Sequence, residues 1–71
     1  MKELPELLSE WSALKLKRSG KPPQVHVQKE LHVLELLQKA GCANVPDEPL
    51  TVEFMISDRK RVLREMQQRL H

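Results

Sequence analysis

One cysteine, two glycines and two aromatic side chains are all that 71 residues contain of these types. The single cysteine, Cys42, cannot close a disulfide within the chain, which excludes a disulfide-stapled secreted mini-protein. Gly20 and Gly41 are too few to build a glycine-rich phosphate loop. Trp11 and Phe54 alone do not make a platform on which bases could stack. No apolar run approaches the roughly 18 residues that a membrane span needs, so no membrane partner is expected. Charge of one sign is lacking too: 12 basic residues stand against 10 acidic ones, a net charge of +2 with histidine neutral. The run Met1-Lys2-Glu3-Leu4-Pro5-Glu6 alternates acids with leucines and lacks the basic-then-apolar order of a signal peptide, so the expected compartment is a reducing cytoplasm.

What remains is a leucine-rich chain, 39% hydrophobic and 31% charged. That length and that apolar content suit a single domain over 1–71 with one modest core. The expected architecture is mostly α: a compact three-helix domain with helices near 4–18, 29–41 and 51–70. At about 100° per residue, Leu4, Leu7, Leu8, Trp11 and Leu14 share one arc of roughly 120°. Pro5 suits the first helical turn, Glu6 the positive end of the dipole, and Lys15, Lys17 and Arg18 the negative end. Leu31, Val33, Leu34, Leu36, Leu37 and Ala40 spread over more than half of the second wheel, which marks that helix as central. Gly41 is its natural stop.

Two stretches read either way. Gln24-Val25-His26-Val27-Gln28 alternates polar and apolar, as a short strand would, or leads into the second helix. From Val52 to Leu70 one apolar arc argues for a single long helix that starts near Thr51, with Phe54 facing water and Arg59 inside the stripe as misfits. A strand over 50–56, with Ser57 capping a shorter helix, removes both misfits. The long helix is the preferred reading, because an isolated pair of strands is marginal in water.

Chemistry is sparse. His26 and His32 are six residues apart, Cys42 stands alone, and neither a Cys-x-x-Cys nor a His pair at i, i+4 occurs, so no metal site is expected. Cys42 follows a helix C-terminus, whose negative dipole disfavours the thiolate. Ser9, Ser12 and Ser57 have no motif around them, and the Asp47-Glu48 pair reads as a solvated turn. Neither catalysis nor a cofactor is expected.

Two binding readings are left. The first is a small regulator, adaptor or inhibitor that engages a protein partner, or a second copy of itself, through a helical surface. Trp11, Leu16, Phe54 and Arg59 are its candidate contact residues, since exposed apolar groups rimmed by Arg, Glu and Gln resemble an interface. Trp11 has an alternative role as the core anchor of the first helix. The second reading is a nucleic-acid-binding regulator, DNA included. It would use Lys15, Lys17, Arg18 and Lys21 with Lys60, Arg61, Arg64 and Arg69 of the last segment, where five basic residues from Ser57 onward face only Asp58 and Glu65. Against it stand the low overall charge and the ordinary habit of charged helix faces to be solvated surface.

Overall fold

The computed structural model describes residues 2–17, 20 and 22–69. They form three helices: α1 (Leu4–Lys17), α2 (Gln24–Lys39) and α3 (Val52–Arg69). Arg18, Lys21 and Leu70 lie outside the described residues. Helix α2 is the middle element, with α1 and α3 each packed against it; α1 and α3 share no close backbone approach.

The α1 start follows from Pro5 in the first turn and a backbone bond from Leu7 N to Glu3 O of 3.1 Å. Its apolar arc delivers Leu7 and Trp11 to the core, with Leu8 and Leu14 packed against that core from the side.

The strand reading of 24–28 is wrong, and α2 begins five residues before the expected Lys29. Pro23 is the N-cap residue, with φ −68° and ψ 159°, and its carbonyl accepts from His26 N at 3.0 Å and Val27 N at 3.2 Å. Proline pre-sets the extended cap and blocks helix upstream of itself without preventing one downstream. Val27 then opens a buried stripe that continues through Glu30, Leu34 and Leu37, a helical period with a carboxylate at its second position. That carboxylate is what makes the stripe appear to start late.

Gly41 ends α2 as expected. Its φ of +84° is reached at no steric cost only by glycine, and the bonds Gly41 N to Gln38 O (3.0 Å) and Cys42 N to Leu37 O (2.9 Å) complete a Schellman-type terminus. The following loop places Val45 in the core, turns at Asp47 (φ +69°), and pairs Asn44 with Thr51 in one antiparallel bridge.

Thr51 then caps α3: its Oγ1 accepts from Phe54 N at 3.1 Å, and its carbonyl accepts from Met55 N at 3.0 Å. The strand alternative at 50–56 is therefore not realised, and the long helix is. Both misfits are real features of it. Phe54 is 55% exposed, whereas Arg59 is buried inside the stripe at 8%. The core consists of Leu7, Trp11, Val33, Leu34, Leu37, Val45, Val52, Met55 and Ile56. No described residue of α3 beyond Arg59 is buried; Val62, Leu63 and Met66 are half-buried.

Leu34 is fully enclosed at the waist of α2. Leu34→Ala is expected to cost about 2–5 kcal/mol, a large share of the stability of a domain this small. Urea unfolding followed by Trp11 fluorescence should show a midpoint shifted far down or no folded baseline at all.

Candidate partner-binding groove

Helices α1 and α2, which both contribute to the core, leave a trough between them. From α1 come Glu10, Ala13, Leu14 and Lys17, spaced i, i+3, i+4 and i+7, with Lys2 at the end. From α2 come Val25, Gln28, Lys29, His32 and Val33, again one helical ridge. On the α2 wheel this ridge lies roughly opposite the buried stripe of Val27, Glu30, Leu34 and Leu37. The groove holds about 450 Å³, within the roughly 300–1,000 Å³ typical of binding clefts. Ala13, Leu14, Val25 and Val33 give it an apolar floor, while lysines and His32 stand on the rim. Val25 is 56% exposed at that site. Lys2 is engaged by Glu10; Lys17 and Lys29 make no ion pair among the described residues.

A polar node lies inside the domain. Glu30 is fully buried, and its Oε1 accepts from Arg59 Nε at 2.8 Å. Arg59 Nη1 donates to Asp58 Oδ2 at 2.8 Å, and its guanidinium carbon sits 5.7 Å from the centroid of the Trp11 ring. His26 Nε2 approaches Glu30 Oε2 at 3.2 Å. Outward from Asp58 the chain of charges continues: Arg61 Nη2 donates to Asp58 Oδ1 at 2.7 Å, and Arg61 Nη1 to Glu65 Oε1 at 2.9 Å. Partial burial pushes the Asp58 carboxyl up, but hydrogen bonds from Arg61 and Arg59, aided by their charge, outweigh it and hold it below the ordinary value of 3.8. Arg61 is shifted upward by its bonds to Asp58 and Glu65.

These positions redistribute the candidate contact residues. Leu16, at 88% exposure, and Phe54 do face solvent. Trp11 and Arg59 do not: Trp11 is a core residue and Arg59 is consumed by Glu30 and Asp58, so neither offers a surface to a partner. Among the candidate phosphate contacts, Lys15 pairs with Glu48 and Arg61 with Asp58 and Glu65. Lys17, Lys60, Arg64 and Arg69 are exposed, and Arg18 and Lys21 are outside the described residues. Ala13, Val25, Lys29 and His32 were not singled out by sequence reasoning, because a groove requires the rotation of two helices relative to each other. Val25, two residues after the double proline Pro22-Pro23, was the one available signal.

Cys42 is half-buried, and its thiol donates to Asn44 O at 3.1 Å, an arrangement that uses the protonated form. Among the described residues, no three of His, Cys, Asp and Glu gather as a metal site, and no helix is long and apolar enough to cross a membrane. Comparison with protein-family models, curated proteins and solved structures finds no match to this chain.

Two outcomes follow from the node. Removing either member leaves the other's buried charge less well compensated, so Glu30→Ala and Arg59→Ala should each destabilise, by up to about 3–5 kcal/mol. The double variant Glu30→Met/Arg59→Met should lose less than either single alanine variant; an additive loss in urea unfolding would refute the coupling. Because the Asp58 pKa is lower folded than unfolded, its contribution is complete above the unfolded value near 3.8 and disappears as pH falls through the folded one. Asp58→Asn should therefore reduce stability at neutral pH and flatten its acid dependence, read from thermal melts in a pH series.

Proposed function

We propose that this protein is a small non-enzymatic regulator, adaptor or inhibitor that works in the cytoplasm by binding a protein partner through its helical surface. The observation that carries this reading is the α1–α2 groove: exposed Ala13 and Val25 and half-buried Leu14 form an apolar floor, backed by the core residue Val33, in a domain with little apolar material to leave outside. Leu16 and Phe54 add exposed apolar contacts at the end of α1 and the start of α3. Such groups, rimmed by charge, have the make-up of an interface with an apolar centre and a polar edge.

The nucleic-acid reading draws less support from the same surface. Lys15 and Arg61 are occupied by acidic neighbours, and Arg61 is engaged twice. Cations already matched within the chain release fewer counterions on meeting phosphate.

The test is affinity capture from lysate of the native host, with nuclease, comparing the wild type with Ala13→Glu/Val25→Glu. Both positions are exposed, so the variant should keep the helical circular-dichroism spectrum. A specific protein retained after nuclease and depleted about tenfold or more by the double variant is the expected result. Loss of every captured partner on nuclease treatment would favour the nucleic-acid reading, and equal capture by both forms would move the interface to Leu16 or Phe54.

A further inference from the structure

We propose that the occupant of the α1–α2 groove is an acidic amphipathic helix, a segment with apolar residues at i, i+3 or i+4, and i+7 flanked by Asp and Glu. This rests on the partner-binding reading above and specifies the chemistry of the partner. Three features on the page carry it: dimensions, floor and charge.

The α1 ridge from Glu10 to Lys17 and the α2 ridge from Val25 to Val33 run about 10–12 Å at 1.5 Å per residue. That is the span of three apolar anchors on two helical turns of a partner, the spacing with which an amphipathic helix enters a groove. The floor is apolar and concave, so apolar side chains can reach it; a flat bilayer surface cannot, and a phosphate backbone has nothing to match it. The rim supplies the sign. Glu10 is already engaged by Lys2, and Lys17 and Lys29 are without ion pairs among the described residues, with His32 beside them. The partner's flanking residues are therefore acidic. A second copy does not supply this segment. None of its three helices is acidic: α1 sets Glu6 and Glu10 against Lys15 and Lys17, α2 is likewise balanced, and α3 is basic, while Leu7 and Trp11 of α1 are committed to its own core.

The experiment uses the full chain and two synthetic helical peptides of roughly 18 residues, long enough to hold helix. Both carry leucines at i, i+3, i+4 and i+7; one is flanked by glutamates, its counterpart by lysines. Binding is read by fluorescence anisotropy and by amide chemical shifts. The expected result is about tenfold or greater preference for the acidic peptide, with shifts centred on 13–17 and 25–33. Its affinity should weaken from 0.15 M to 1 M salt, where the screening length falls from about 8 Å to about 3 Å. Lys17→Glu/Lys29→Glu should reverse the preference, and Ala13→Glu/Val25→Glu should remove binding of the acidic peptide while circular dichroism stays helical. Equal binding of the two peptides, binding of neither, or shifts elsewhere on the surface overturns the proposal. So does groove-dependent self-association in sedimentation, or groove-dependent binding of duplex DNA or anionic vesicles. If neither peptide binds while capture from lysate still depends on Ala13 and Val25, the partner-binding reading stands and the acidic helix alone fails.

Discussion

The buried carboxylate of Glu30 and the guanidinium of Arg59 sit where the stripes of α2 and α3 meet, and neither charge can be buried there at low cost without the other. A charge taken out of water costs several kcal/mol unless an opposite charge and good hydrogen bonds meet it. Here they do: Arg59 gives Nε to Glu30 and Nη1 to Asp58, and presents its plane to Trp11. Each side chain interrupts an apolar stripe by itself, and the interruptions cancel only in one register of α3 along α2. The pair therefore does for the two long helices what apolar packing alone does poorly, which is to reject neighbouring alignments of leucine against leucine. Trp11 extends that selection to α1, since its ring lies against Arg59 from a helix whose backbone never approaches α3 closely.

With the register set, the surface is determined. The α2 face bearing Val25, Lys29 and His32 turns away from the buried stripe, and α1, held at one flank, supplies the opposite wall. The groove thus follows from a wide apolar helix that has only two neighbours. Three helices in a row cover two sides of the central one and leave part of its circumference open. The lysines on that open side are solvated cations, whereas most charges near the node are matched at close range.

Much of the fold was legible because its signals are local. The Leu7–Trp11–Leu14 arc, the stop at Gly41 and the start at Thr51 each act within a few residues, and each appears where periodicity and capping chemistry place it. Phe54 stood out as an exposed misfit and is one. The N-terminal third of α2 was harder to read, because a glutamate inside an apolar stripe looks like the end of the stripe until its partner is known. That partner is 29 residues further on. Arg59 had the mirror-image problem, and its assignment to the surface failed for the same reason. The groove was out of reach for a third reason: its walls are unremarkable on either helix alone and become a site only through the rotation of one against the other.

The row-like order of the helices also shapes how the chain finds and loses its structure. Both backbone interfaces join neighbours in sequence, α1 with α2 and α2 with α3. Contact order is accordingly low, and loop closure demands little entropy before contacts form, as in fast-folding helical domains. The Trp11–Arg59 contact is the exception, bridging the first helix to the third. When α1 detaches, the indole no longer shields the guanidinium, and water gains access to an ion pair whose alignment depends on being dry. Opening at one edge of the row thus exposes the joint at its other side, which couples the docking of α1 to the ion pair between α2 and α3.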